Sequence, residues 1–316
     1  MKGNLKAFVT GGAGFIGSHL VDRLMAEGNH VTVYDNLTSG RRAFIAQHLN
    51  TSRFRFIQDD LLHLNRLEES MKAHDIVFHL AANPDARGGI SRTRLDLEQN
   101  TLATYNVLES MRINGIKKLV FTSSGTVYGE TPYIAIGESY GPMLPISLYG
   151  ASKLACEGLI SAFCDLFGMQ AWIFRPGNII GSRATHGVIF DLIGKLHKAP
   201  VLEVLGDGNQ TKPYVYVDDC VDGVLFCVQN SNNKVNVFNL CGETVTSVKD
   251  IVRIILEKTG SKGTRVHYTG GDRGWPGDVP LVRLDATKAG RLGWKTKYTS
   301  DEAVAKTVDS VLEETG

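Results

Sequence analysis

Tyr149 and Lys153 stand four residues apart in the run Tyr149-Gly150-Ala151-Ser152-Lys153. On a helix they share one face, about one turn apart. A free tyrosine hydroxyl has a pKa near 10 and is a poor base at neutral pH. A neighbouring ammonium favours the phenolate and brings the group toward working pH. Ser124, at the end of an apolar strand, is placed to hydrogen-bond the same substrate oxygen and to assist the proton transfer. Together the three side chains describe acid–base chemistry on an alcohol. A Tyr-x-x-x-Lys spacing on its own is more often a solvated helix face, so its meaning rests on its surroundings.

Those surroundings include a second cluster. Gly11-Gly12-Ala13-Gly14-Phe15-Ile16-Gly17 lies between an apolar strand, Leu5–Thr10, and a helix-period segment, Phe15–Glu27. A phosphate at a helix N-terminus meets unpaired backbone N–H groups and a favourable dipole, provided no side chain blocks its approach. Asp35 follows Gly17 by 18 residues and ends the second strand, His30–Tyr34. A carboxylate there accepts from the adenosine ribose hydroxyls and repels a 2′-phosphate. The combination points to NAD over NADP, with Arg41 and Arg42 nearby as the counterweight. A positively charged nicotinamide ring would favour the Tyr149 phenolate further.

Positioning these groups requires a sheet. Strands fit Leu5–Thr10, His30–Tyr34, Phe54–Gln58, Ile76–Leu80, Leu119–Phe121 and Ala171–Phe174, with helical periodicity over Leu95–Ile113 and Ala151–Phe167. This βαβ alternation predicts an α/β fold, a Rossmann-type doubly wound parallel sheet covered on both faces. After about residue 180 the pattern loosens. Residues 1–180 read as the NAD-binding domain and 181–316 as a smaller α/β substrate lobe, some segments of which return to the first domain.

Composition removes other classes. The 316 residues carry 34 Lys and Arg against 33 Asp and Glu, so nothing favours a nucleic-acid partner. The longest stretch without Asp, Glu, Lys or Arg, Ala7–Val21, has 15 residues and four glycines. It falls short of the roughly 18 that suggest a membrane span. Five cysteines without a C-x-x-C pair read as free thiols in a reducing cytoplasm. Nine histidines without an H-x-x-x-H pair suggest no metal. The 34 glycines, against nine prolines, imply tight turns and close backbone approaches.

The spacing of Gly11, Gly14 and Gly17 resembles the extended short-chain dehydrogenase/reductase family, and the resemblance runs along almost the whole chain. Asp60-Leu61, His79-Leu80-Ala81-Ala82, Asn100 and the Tyr149–Lys153 run match family motifs. Within it the chain is most similar to UDP-glucose 4-epimerases and related nucleotide-sugar epimerases. That similarity is carried by Thr122–Gly129, Arg175-Pro176-Gly177-Asn178, Gly206-Asp207-Gly208 with Tyr214, Gly277-Asp278 and Asp285–Lys288. It implies that Ser124, Tyr149 and Lys153 are catalytic. It assigns NAD to Gly11, Gly14, Phe15, Ile16, Asp35, Asn36, Ser39, Gly40, Asp60, Leu61, Leu80, Ala81, Ala82, Asn100, Ser123 and Pro176, with Tyr149 and Lys153. It assigns the substrate to Ser124, Thr126, Tyr149, Asn178, Gly187, Val188, Leu205, Lys212, Tyr214, Arg273, Asp278 and Val282, while Arg87, in a run that differs from the family's, is a candidate contact for a substrate phosphate or carboxylate.

The implied reaction inverts C4 of a nucleoside-diphosphate sugar through a transient 4-keto sugar, with no net redox change. UDP-glucose/UDP-galactose, or the N-acetylated pair, are the expected substrates. Binding energy on the remote diphosphate leaves the sugar free to turn. The grip departs from the best-known epimerases. Lys212-Pro213-Tyr214 replaces their Arg-Asp-Tyr, so bidentate phosphate recognition is lost. Trp275 stands where they carry a diphosphate-binding arginine, with Arg273 as the candidate replacement. Val282 suggests tolerance of a bulky C2 substituent. A 4,6-dehydratase would need Asp-Glu after the active-site Ser/Thr, where this chain has Gly125-Thr126; a uronate decarboxylase lacks the same glutamate. A dehydrogenase exchanging NAD with solvent would carry the same motifs. A non-catalytic NAD sensor would be expected to have lost Ser124, Tyr149 or Lys153, and all three are present. Similar proteins pair the helices corresponding to Leu95–Ile113 and Ala151–Phe167 across a two-fold axis, which predicts a homodimer.

Overall fold

The computed structural model describes residues 3–315 except 86, 133, 197, 199, 275–278 and 280–282. The chain opens with strand β1 (Lys6–Thr10), helix α1 (Phe15–Ala26) and strands β2 (His30–Asp35) and β3 (Phe54–Gln58). Helix α2 (Leu64–Met71), β4 (Ile76–His79), helix α3 (Ala103–Ile113) and β5 (Lys118–Thr122) follow. Helix α4 (Leu148–Phe167) and β6 (Gln170–Pro176) come next, and a later strand, β7 (Val235–Leu240), completes a seven-stranded sheet ordered β7-β6-β5-β4-β1-β2-β3. The pairs β1·β2, β2·β3, β1·β4, β4·β5 and β5·β6 are all parallel. The β3-β2-β1-β4-β5-β6 order is that of the doubly wound dinucleotide fold, and it reverses direction between β1 and β4. Buried strand residues such as Phe8, Val77 and Phe121 pack against Val107 of α3 and Ile160 of α4.

Three features depart from the pattern expected from sequence. The seventh strand, β7, was not among the expected ones. Its Asn236 and Asn239 break the apolar run, yet both are buried, and Asn236 Nδ2 donates to the Ala171 carbonyl at 3.2 Å. The segment expected as one helix, Leu95–Ile113, is composite: one turn at Arg94–Asp96, a widened π-type stretch at Leu97–Leu102, then α3. Such widened turns are frequent at functional sites, and this one holds Asn100. Finally, α4 starts earlier than expected, at Leu148. The Ser147 hydroxyl accepts from Gly150 N at 3.1 Å and caps it there.

Compact units of the chain are interleaved. One comprises Met1–Gly129, Gly141–Arg175 and Val224–Phe238; the other comprises Glu130–Tyr140, Pro176–Gly223 and Asn239–Gly316. The second unit is built from short strand pairs: Asn178–Ile180 parallel with Tyr214–Tyr216, Val201–Val204 parallel with Arg265–Tyr268, and Thr211–Lys212 antiparallel with Thr246–Ser247. Helices Val188–Leu196, Val248–Lys258 and Ser300–Thr315 cover them, burying Ile189, Leu202, Ile251 and Val304. No helix among the described residues is long and apolar enough to cross a membrane.

Candidate active site

At the reversal point of the sheet, β1 hands over to the glycine turn. Gly11 has φ +70°, and a Cβ there would lie 2.6 Å from the Ala81 nitrogen, so only glycine lets the turn pass the end of β4. A Cβ on Gly17 would come within 2.0 Å of the Gly11 carbonyl oxygen. Gly14 caps α1 without any side-chain hydrogen bond, and the first turn carries no acid. Phe15 and Ile16, half-buried, open that turn. This cradle of bare backbone at a helix N-terminus suits a diphosphate.

Asp35, at the end of β2, is 8% exposed. Its Oδ2 accepts from Ala13 N at 3.0 Å and its Oδ1 from Leu37 N at 2.8 Å. Burial pushes its carboxyl up from the usual range, and the two amides oppose that shift. Each oxygen keeps a second lone pair for a ribose hydroxyl. Gly40 packs on the same oxygen, where a Cβ would lie 2.9 Å from Oδ1, and Ser39 beside it is exposed. Asn36 Nδ2 donates to Asp60 Oδ2 at 2.8 Å, tying the loop after β2 to Asp60 and the buried Leu61. The fit of these groups to NAD therefore rests on geometry at both the phosphate and the ribose ends.

Beside the turn, Leu80 N donates to the Thr10 carbonyl at 3.1 Å and Ala81 N to Thr10 Oγ1 at 3.4 Å. Ala82 continues this segment, half-buried. His79 bridges Thr10 and Thr104 at 2.7 and 2.9 Å. Burial, with Lys153 adding to it, pushes the imidazole down to about 3, so it is a neutral core group. No cluster of metal-binding side chains occurs among the described residues.

The triplet of Ser124, Tyr149 and Lys153 meets where β5 ends. Lys153 is 2% exposed, donates to the Thr122 carbonyl at 2.8 Å, and lies 4.8 Å from the Phe121 ring centroid and 5.9 Å from that of Tyr149. Burial pushes its ammonium down to about 8, so it stays charged at neutral pH. The Tyr149 phenol is pushed up to about 12 by burial, an effect that its hydrogen bond with Ser124 opposes. Ser124 Oγ accepts from Thr126 N at 3.2 Å and from Thr126 Oγ1 at 2.9 Å. With both lone pairs engaged, its one proton is directed to the phenol oxygen. Thr126, expected as a substrate contact, has thus spent its only proton on Ser124. With these neighbours alone the phenol is protonated at neutral pH; a cationic ring placed beside it would supply the missing pull toward phenolate.

Several expected residues hold positions of a different kind. Ser123 donates to Glu157 Oε1 at 2.5 Å, so its hydroxyl is committed to a buried ion pair. Asn100, 1% exposed, accepts from Asn83 N at 2.8 Å and donates to Ser152 Oγ at 2.8 Å. Arg87 is exposed, its backbone N bound to Asp85 Oδ1 at 3.1 Å. Pro176 closes β6. In the second unit, Asn178 pairs in register with Tyr214, and its N donates to the Pro213 carbonyl at 3.1 Å. Lys212, just before Pro213, is half-buried and opposite Thr246. Tyr214 itself is 4% exposed within the core of that unit, a packing role the sequence did not suggest. Leu205 is exposed, and its neighbour Gly206 packs near the Arg273 carbonyl. Arg273 forms an ion pair with Glu130. Gly187 has φ +109° and precedes Val188, which starts a separate helix. Asp278 and Val282, with Trp275 and Gly277, lie outside the described residues.

Sequence reasoning gave no site role to Asp96, Ser152, Glu157 and Arg175, all buried and all in the network around the triplet, although Ser152 and Arg175 lie in the motifs it named. A usable signal existed: Asp96 precedes Asn100 by four residues and Glu157 follows Lys153 by four, the spacing that shares a helix face.

Known proteins share this fold. A crystal structure of UDP-galactose 4-epimerase superposes with a TM-score of 0.88 at 38% identity, covering 99% of this chain and 100% of that one. UDP-glucose 4-epimerase of Mycolicibacterium smegmatis is 32% identical over 315 residues, 96% of this chain and 98% of the relative. UDP-N-acetyl-alpha-D-glucosaminuronate decarboxylase of Bacillus cytotoxicus is 32% identical over 276 residues, 83% of each. Residues 7–241 match the model of the NAD-dependent epimerase/dehydratase family, and the chain belongs to that family.

Proposed function

We propose that the protein is an isomerase that inverts C4 of a nucleoside-diphosphate sugar, UDP-glucose/UDP-galactose or the N-acetylated pair. The observation that carries this reading is the Ser124–Tyr149–Lys153 arrangement followed by Gly125-Thr126, with no acid and base to eliminate water or drive loss of a carboxylate. Tyr149 takes the proton of the 4-hydroxyl once the bound sugar draws the Ser124 proton from the phenol to that hydroxyl's oxygen. NAD, when bound, supplies the capacity to accept a hydride and return it. The 4-keto sugar turns over and regains hydrogen at C4 on its other face, and Tyr149 returns the proton. Lys212 and Arg273 are the proposed diphosphate contacts, and Asn178, Leu205 and the Gly187-Val188 turn are proposed around the nucleotide.

Purified protein given UDP-galactose without added cofactor should form the 4-epimer and release no NADH. Stoichiometric NADH with no epimer would overturn the reading in favour of a dehydrogenase.

A homodimer belongs to the same proposal. Leu97, Leu102, Tyr105 and Ile113, before and on α3, are 51, 44, 42 and 46% exposed, and Leu166 and Phe167 of α4 are 72 and 37% exposed. Tyr105 meets Phe163 of α4 edge-on at 6.3 Å, so the two helices offer one apolar face. Light scattering at micromolar concentration should give twice the 34.5 kDa chain mass; a monomer there would sink the dimer. Five buried free thiols suit the reducing cytoplasm.

A further inference from the structure

Gln210 is 5% exposed, and neither Oε1 nor Nε2 of its carboxamide has a hydrogen-bond partner among the described residues. Its backbone is engaged, since its carbonyl accepts from Val248 N at 3.1 Å. The side chain packs on the Gly206-Asp207-Gly208 turn. A Cβ on Gly206 would come 1.8 Å from Gln210 Nε2, so bare backbone at Gly206 makes the room for this amide. A buried donor and acceptor left without partners cost stability that an apolar side chain of the same length would not. The hydrogen bonding of the free protein gives no reason for a glutamine here.

A partner stands beside it. The same Cβ on Gly206 would lie 3.3 Å from the Arg273 carbonyl oxygen, so amide and carbonyl crowd one backbone position without bonding. The segment that carries Arg273 is tied to Gly206 at its start. Gly206 N donates to Thr269 Oγ1 at 2.9 Å, and Gly270 N donates to the Gly206 carbonyl at 3.0 Å. Gly270 and Gly271 follow that tie at φ +82° and +83°, with open space where a Cβ would be. Two such residues let the chain beyond them swing at little steric cost. At the end of the swing the Arg273 guanidinium is paired with Glu130, on a side open to solvent. Exposed ion pairs are weak. A diphosphate offers a guanidinium more charge and paired oxygen acceptors.

We propose that Gln210 is a positioning residue for Arg273. When the guanidinium leaves Glu130 for the diphosphate, the Gln210 amide donates to the Arg273 carbonyl and fixes the arginine on the ligand. Gln210 touches no ligand itself. Its bond is made only in the nucleotide-bound protein, so the amide raises affinity for a nucleoside diphosphate while weakening the empty protein. The inference rests on the proposed role of Arg273 as a diphosphate contact, and not on the reaction at C4.

Its test uses UDP and the NAD-loaded protein, by calorimetric titration and by thermal unfolding without UDP. Gln210→Met keeps the length and removes the amide. It should unfold at the parent's temperature or above, and bind UDP about fivefold more weakly, the worth of one hydrogen bond. Q210L, of a different shape, should repeat the loss of affinity, which separates it from an accident of packing. Arg273→Gln should weaken UDP binding by itself, and adding Q210M to it should weaken binding no further, because the amide acts through Arg273. A lowered melting temperature with unchanged UDP affinity in Q210M would overturn the proposal, since the amide would then be partnered in the free protein. So would an equal loss from Q210M with and without Arg273→Gln. The two assignments fail differently. Parent-like UDP binding in R273Q removes Arg273 from the diphosphate and takes the proposal with it, whereas a weakened R273Q beside a parent-like Q210M overturns the proposal alone.

Discussion

Tyr149→Phe is expected to leave NAD bound and to lower kcat about a thousandfold, the scale of a positioned acid–base group, or roughly 4 kcal/mol of transition-state stabilisation. The substitution removes one oxygen and nothing else. The ring that lies 5.9 Å from the Lys153 ammonium remains, and Lys153 stays anchored on the Thr122 carbonyl. The cofactor turn at Gly11–Gly17 and the Asp35 carboxylate belong to the far side of the sheet reversal and keep their contacts. Ser124 loses the acceptor of its proton but stays held by Thr126. Binding and chemistry should therefore separate cleanly. The check is turnover of UDP-galactose beside the NAD released on denaturation. A kcat within threefold of the parent would remove Tyr149 from the catalytic role.

How much of this was legible in advance depended on what each residue announces locally. Gly11, Gly14, Gly17 and Asp35 were readable because a phosphate turn needs bare backbone immediately after a strand, and that requirement is written in consecutive residues. The strands of the parallel sheet were readable for a similar reason: buried on both faces, they are continuous apolar runs. β7 was not, because Asn236 and Asn239 interrupt its run, and each amide finds at least one carbonyl far away in sequence. Asn236 reaches Ala171, and Asn239 reaches Ile136 and Asp285 at 3.0 Å each. Tertiary partners of this kind leave no local trace. The same holds for Tyr214, whose motif suggests a ligand contact while its burial makes it core. It holds again for Ser123, which stands next to Ser124 in sequence but turns to Glu157. The backbone just past β5 stays extended, with Ser124 at φ −158° and ψ 150°, so adjacent side chains there point to opposite sides as on a strand, and the local backbone decides which half of a motif faces the chemistry.

That alternation makes the Glu157–Arg175 pair the support on which Ser124 depends, and the second large effect follows from it. Glu157 and Arg175 have side chains 7 and 4% exposed and meet in two bonds, Nη2 to Oε2 at 2.6 Å and Nε to Oε1 at 3.0 Å. Oε1 also receives the Ser123 hydroxyl, and Arg175 Nη1 donates to the Tyr128 hydroxyl at 2.8 Å while the guanidinium lies 4.8 Å from that ring's centroid. Although burial works against the charged form, the carboxylate holds the guanidinium protonation well above its usual range. Two charges taken out of water together roughly break even, but one left alone does not. Glu157→Leu should therefore destabilise the protein by about 3–5 kcal/mol, the cost of an orphaned buried charge. The double substitution Glu157→Leu with Arg175→Met should recover most of that loss, because an apolar pair of similar volume leaves no charge behind. Its activity should stay low even so, since Ser123 and Tyr128 lose the partners that pin both sides of Ser124. Denaturant unfolding of the three proteins, read beside their kcat, tests both halves of the argument. A single variant within 1 kcal/mol of the parent would show the pair to be replaceable. A double variant with full activity would show that Ser124 is held by its Thr126 contacts alone.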